Sequence, residues 1–182
     1  MKVHKNPWAT RPIVSYAGSL LHGLGIWLDL KLQKIATTRT TYIRDSFALK
    51  EYLATYDTLP AGCKLFTSDA TAMYDNIDTT HAIREISRYI RRLPEFAHLP
   101  LNAIIAALGL IMHNNMFFFG DTHWLQRKGA AMGAPPATSV ATIYYAIHEE
   151  YLIERFGHCF LFLKRYIDDM LCLLYTSDAA DE

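Results

Sequence analysis

Phe160-Leu161-Phe162-Leu163-Lys164-Arg165-Tyr166-Ile167-Asp168-Asp169-Met170-Leu171-Cys172-Leu173-Leu174-Tyr175 is the stretch on which the fold turns. Phe160 to Ile167 is rich in apolar and aromatic residues and reads as a strand. Met170 to Tyr175 reads as a second strand running back, with Asp168-Asp169 as a tight turn between them. Two adjacent acids among Tyr166, Ile167, Met170 and Leu171 admit two readings. They are the polar residues of a hairpin turn, or they are ligands for something positively charged.

A third acid bears on the choice. Cys63-Lys64-Leu65-Phe66-Thr67 reads as a short buried strand after the turn at Pro60-Ala61-Gly62, and Asp69 closes it. A carboxylate there is costly to desolvate. If Asp69 met the Asp168-Asp169 pair, like charges would crowd together. At about 4 Å and an effective dielectric near 20, one such pair repels by about 4 kcal/mol. Raised pKa values or divalent cations relieve that repulsion. Hard carboxylate oxygens select Mg²⁺, with Mn²⁺ as a substitute. Two ions roughly 3.5–4 Å apart make the clamp used for in-line phosphoryl transfer.

Outward from these acids, helices and strands alternate irregularly. Leu20 to Leu32 reads as a helix interrupted by glycines. Asp45-Ser46 offers cap groups to a helix reaching Tyr56, with Phe47, Leu49, Tyr52 and Leu53 as its apolar stripe. Asp78-Thr79-Thr80 opens another, with Ile83, Ile86, Tyr89 and Ile90 inward and Arg84, Arg88, Arg91 and Arg92 outward, on a face that is either solvated or set against a nucleic-acid backbone. An apolar helix spans Pro100 to Asn114. Gly120-Asp121 sits at the tip of a hairpin, and Pro135-Pro136 introduces a long helix to Phe156.

The composition sets limits. The 182 residues are 51% hydrophobic and 13% aromatic, enough for a real core and against disorder. Lys+Arg and Asp+Glu balance at 18 each, so net charge argues weakly against a nucleic-acid partner. Lys2, His4, Lys5 and Arg11 nevertheless form a local basic segment with no acid among them. Cys63, Cys159 and Cys172 are widely spaced and suit a reducing compartment. The eight histidines show no metal-ligand spacing. No apolar run is long enough to span a bilayer, and the expectation is an intracellular protein without a membrane partner.

Four ordered segments now converge. Lys2-Val3-His4-Lys5 with Arg11-Pro12-Ile13-Val14 resembles the fingers motif of the reverse transcriptases. Phe66-Thr67-Ser68-Asp69-Ala70-Thr71-Ala72-Met73-Tyr74-Asp75-Asn76-Ile77 resembles their first palm motif. Gln126-Arg127-Lys128-Gly129-Ala130-Ala131-Met132-Gly133-Ala134-Pro135 resembles the second, and Arg165-Tyr166-Ile167-Asp168-Asp169 the third. Together they cover residues 2 to 171. The chain looks most like the Penelope-like retroelements, relatives of telomerase; Ala131-Met132-Gly133 stands where telomerase-like and intron-type relatives carry Pro-Gln-Gly.

The resemblance implies an α+β fold, the fingers and palm of a right-hand polymerase without its thumb. An antiparallel, ferredoxin-like palm sheet would carry strands at 63–69 and 159–175, backed by helices at 79–92 and 136–156. Fingers would come from residues 1–60 and the hairpin near 115–126. It implies RNA-directed DNA polymerase activity, with RNA template, DNA or RNA primer and dNTPs as partners and two Mg²⁺ ions as cofactor. A retroelement enzyme of this kind works inside the cell, with the nucleus as one site. Asp69 and Asp168 would be the principal metal ligands and Asp169 the lesser one. Lys5 and Arg11 would reach the triphosphate. Tyr74 would exclude a 2′-hydroxyl. Gly129 and Gly133 would let backbone approach the nascent pair, while Gln126 and Met132 would contact template or dNTP.

Two rivals remain open: an RNA-dependent RNA polymerase, against which Tyr74 and Y-I-D-D speak, and a silent nucleic-acid-binding relic. Residues 172–182 do not resemble the family and are similar to a translated sequencing adapter, so the native domain is expected to be 1–171.

Overall fold

Two aspartates start helices, as their position before an apolar-periodic stretch dictates. Asp45 accepts the Ala48 N–H at 2.8 Å and opens α2 (Ser46–Leu53), and Asp78 accepts the His81 N–H at 2.7 Å and opens α3 (Thr79–Arg91). The computed structural model describes residues 14–175. Around these helices lie α1 (His22–Ala36), β1 (Lys64–Asp69), α4 (Leu101–His113), β2 (Met116–Phe119), β3 (Thr122–Leu125), α5 (Ala137–Phe156), β4 (Phe160–Tyr166) and β5 (Asp169–Leu174). The fold is mixed α/β with antiparallel sheets.

Helical spacing places the core. Leu28, Leu32 and Ile35 of α1, Ile86 and Ile90 of α3, Ile104, Leu108 and Ile111 of α4, and Val140 and Ile143 of α5 are fully buried. Each recurs three or four residues from the next, the stripe that faces a core. Each such side chain contributes about 1.5–3 kcal/mol on burial. Helix α1 runs unbroken through Gly23 and Gly25, contrary to the expected interruption. A Cβ at Gly25 would stand 3.3 Å from the Pro135 ring, so the missing methyl lets α1 lie close to the start of α5.

The three-stranded sheet has the order β1-β5-β4, all antiparallel. Its register pairs Asp69 with Asp169 and Tyr166 with Asp169, and pairs Ser68 and Arg165 with Met170. Residues opposite one another share a face, so Asp69, Asp169 and Tyr166 lie on one side and Arg165 on the other. Phe162 packs its ring 5.7 Å from Tyr52 and 6.0 Å from Tyr56, bringing the α2 segment over the first side. Arg165 reaches Glu149 of α5 on the second.

Several expectations need correction. The first strand is exposed along its whole length rather than buried, with Leu65 and Phe66 at 60% and 47%. It is an edge strand with no second strand partner among the described residues. The opposite edge, on β4, is covered: Arg165 N–H donates to Thr41 O at 2.7 Å and Ile43 N–H to Arg165 O at 3.1 Å. Phe47 stands 75% exposed instead of joining the α2 stripe. The tight turn is Ile167-Asp168, one residue earlier than expected, because Asp169 is already paired with Tyr166. The returning strand expected at Met170 to Tyr175 is present as β5, with Cys172 to Leu174 completing it and Leu173 2% exposed. No helix among the described residues is long and apolar enough to cross a membrane.

Candidate active site

Alternation along β1 and β5 brings two of the three acids together. Asp69 and Asp169 are cross-strand partners and line one cavity of about 420 Å³ with Tyr166, Lys164, Thr67, Ile43 and Leu49. Asp168 occupies the turn beside them, and its carbonyl accepts the Ala70 N–H at 2.9 Å. That bond ties the hairpin tip to the residue after Asp69.

No hydrogen bond or ion pair from any described residue engages the three carboxylates. Lys164, the cation on the same face that lines the cavity, instead donates to Thr40 O at 2.7 Å and lies 4.4 Å over the Tyr52 ring. Burial there holds its pKa below the ordinary lysine value. Among the described residues no three His, Cys, Asp or Glu side chains close into a metal cage. Mg²⁺ does not demand one. It is held by one or two carboxylates, with waters and substrate phosphates completing its shell. Two unpaired cross-strand carboxylates beside an open cavity fit that donor requirement.

The turn carries strain. Ile167 has φ +55, a β-branched residue in the left-handed region, and no other residue of the turn has positive φ. One positive φ at the first central position is the pattern of a II′ hairpin, where glycine is the usual occupant.

A second group of expected residues gathers where two loops meet. Ala130 N–H donates to Tyr74 O and Gly129 N–H to Ile77 O, both at 2.9 Å. Gly129 has φ +90, and a Cβ there would fall 2.7 Å from Tyr74 O and 3.1 Å from Gln126 Nε2. Only glycine permits this approach. Gln126 donates to Lys128 O at 2.9 Å, which folds its side chain back on its own loop. Tyr74 is half-buried, its hydroxyl 3.3 Å from Thr138 Oγ1. Met132 accepts the Val14 N–H through its carbonyl at 2.8 Å, and Gly133, exposed, has φ +104. Lys5 and Arg11 lie outside the described residues. Arg84, Arg88 and Arg91 of α3 and the capping Arg92 are exposed, with Arg84 and Arg88 paired to Glu85.

The motif reading gave no role to one group. Arg165 and Glu149 form a buried ion pair, their side chains 3% and 7% exposed. Arg165 Nη2 also donates to Thr142 O and Nη1 to Ile167 O, each at 2.9 Å. Its guanidinium lies 5.7 Å from the centre of the Tyr145 ring, whose hydroxyl donates to Met73 O at 3.0 Å. Thr41 Oγ1 donates to the other oxygen of Glu149. One signal was available: Thr142, Tyr145 and Glu149 recur at three and four residues, one face of α5.

No protein-family model matches the chain, and no curated protein matches it. Solved structures do. Apo telomerase from Candida Tropicalis, truncated from its C-terminal domain, superimposes with a TM-score of 0.60 at 15% identity, covering 91% of this chain and 36% of that one. Candida Tropicalis telomerase in complex with a TWJ fragment of telomeric RNA gives 0.64 at 16%, covering 91% and 30%. The Candida albicans complex gives 0.61 at 14%, covering 91% and 32%. This chain therefore spans about a third of the length of the telomerases it resembles. At these identities the likeness speaks for architecture, and the chain has a telomerase-like reverse-transcriptase fold.

Proposed function

We propose that this chain is the fingers and palm portion of an RNA-directed DNA polymerase of Penelope-like retroelement type. The observation that carries the reading is the placement of Asp69 opposite Asp169, with Asp168 in the turn hydrogen-bonded to Ala70. Three carboxylates free of protein cations, in a fold shared with telomerase, suit two-metal nucleotidyl transfer.

Asp69 and Asp168 would be the principal holders of two Mg²⁺ ions, with Asp169 supporting them. Bound there, the ions supply Lewis acidity to the attacking hydroxyl and neutralise charge on the departing pyrophosphate. The chain's own groups do the positioning. Tyr74, fixed by the loop contact at Gly129, presents its ring as the sugar gate. The backbone of Gly129 and Gly133 leaves room for the nascent base pair, and Gln126 and Met132 border that space. Lys5 and Arg11 would meet the triphosphate. The partners on this reading are an RNA template, a DNA or RNA primer, and dNTPs.

The test is addition of a single dNTP to a primer annealed to RNA, with Mg²⁺ present or chelated. Template-directed addition that stops on chelation supports the reading. Addition that persists in Asp168→Asn refutes it.

A further inference from the structure

Charge buried away from water is costly, and an ion pair inside a protein adds less stability than apolar residues of similar size. Arg165 and Glu149 are such a pair, so their partners indicate what the arrangement achieves. The arginine fork joins two elements, α5 and the hairpin turn. Nε and Nη2 go to Glu149, Nη2 also to Thr142 O on α5, and Nη1 to Ile167 O in the hairpin turn. Its backbone N–H and C=O bind Thr41 and Ile43, the segment covering the β4 edge. Glu149 is held in turn by Thr41 Oγ1.

Ile167 is the residue at φ +55, which a β-branched side chain does not adopt unaided. Strained backbone persists only where its surroundings over-determine it. Here the donor that fixes it is Nη1 of Arg165. On its far side the same turn is fixed by Ala70 N–H on Asp168 O.

We infer that Arg165, oriented by Glu149, is a positioning residue that sets the hairpin turn so that Asp169 stands in register with Asp69 and Asp168 is held in the turn beside them. The inference rests on the polymerase reading for its catalytic consequence but not for its geometry. Arg165 points to α5 while Tyr166 and Asp169 face the cavity, so it acts through the turn without touching substrate. Lysine would not substitute, because one ammonium on a flexible stem cannot reproduce a planar fork directed at a carboxylate and two carbonyls.

The test uses the full chain with Arg165→Lys and Glu149→Gln. Amide hydrogen exchange at Ala70 reads the turn directly. It should accelerate by about 10-fold or more in both variants, with the Ile86 and Ile104 amides of α3 and α4 unchanged. Single-nucleotide addition should lose about 30-fold or more in kcat, with KM for dNTP within about 3-fold, since misplacement of the reacting groups by about 1 Å is enough. Unchanged Ala70 exchange overturns the inference. So does a rise shared equally by Ile86 and Ile104, which would assign the pair to general stability. Should the unaltered chain add no nucleotide, the polymerase reading fails by itself, and Ala70 exchange still decides the positioning role.

Discussion

Asp69 stands directly across the β1–β5 ladder from Asp169, and neither carboxylate is engaged by a described cation. The strand carrying Asp69 is exposed on both faces, so little packing depends on that side chain. Asp69→Asn should therefore leave the circular dichroism spectrum unchanged and, without metal, hold or raise Tm by removing one of two facing like charges, while reducing dNTP addition by at least about 10³-fold. Activity within a few-fold of the unaltered chain would remove Asp69 from the metal site.

Tyr74 is the proposed sugar gate. Tyr74→Ala should improve ribonucleotide use relative to deoxyribonucleotide by about 10–200-fold, the range over which a side-chain-sized change in a pocket discriminates. Tyr74→Phe should keep the selectivity, because the 3.3 Å contact to Thr138 is long and the ring alone fills the space. Equal use of both nucleotides by the unaltered chain would favour an RNA polymerase.

Gly129 allows the loop of the second motif to rest against the first. Gly129→Ala places a methyl 2.7 Å from Tyr74 O on a backbone at φ +90. The expected cost is about 1–3 kcal/mol from the conformation alone, with the clash in addition. A clear drop in Tm, with weaker nucleotide discrimination from the displaced Tyr74, is the outcome to look for. A neutral substitution would show that the two loops separate easily.

Ile167 should behave unlike an ordinary apolar residue. Glycine relieves its left-handed backbone by about 1–2 kcal/mol and forfeits a comparable amount of partial burial. Ile167→Gly should then stay within about 1 kcal/mol of the unaltered chain, by these opposing terms. Ile86→Ala, in the core, should cost about 2–5 kcal/mol. Chemical denaturation of both variants makes the comparison.

His148 provides a pH handle. Desolvation at the α3–α5 seam, and then the His81 ring stacked 6.0 Å away, hold its pKa below the ordinary imidazole value, with Glu85 and Glu149 opposing. The unfolded chain thus takes up a proton more readily than the folded one. The stability linked to this group is complete above about pH 6.5 and is lost as pH falls from there through the depressed folded value. Thermal melts at about pH 7.5 and 5.5 should show the decline. His148→Gln should flatten it, and an unaltered slope would place the effect elsewhere.

What could be read in advance follows physical range. Asp45 and Asp78 were legible as caps because capping is settled within four residues. The hairpin at Gly120-Asp121 and the helix after Pro135-Pro136 were legible for the same reason. The exposure of β1 was not, since an apolar stretch announces a strand but not which neighbour will cover it. The turn shifted to Ile167-Asp168 because register, a long-range property, overrode the preference for acids at turn centres. The grouping of the acids was expected from ordered motifs, not from local chemistry, whereas the contact between the Tyr74 and Gly129 loops is seen only in the structure. Glu149 escaped notice because an acid beside Glu150 in a long helix looks solvated until its distant arginine is seen against it.

Among the described residues the sheet is guarded on one flank only. Thr41 to Ile43 seal β4, whereas β1 leaves a row of backbone donors and acceptors facing water, bracketed by Lys64 and Asp69. Such a row is a template for any extended peptide that arrives, including the same strand of another molecule. Concentrated solutions of this polypeptide should thus drift toward fibrous or paired forms through Leu65 and Phe66, and a proline in that strand should keep the molecules apart.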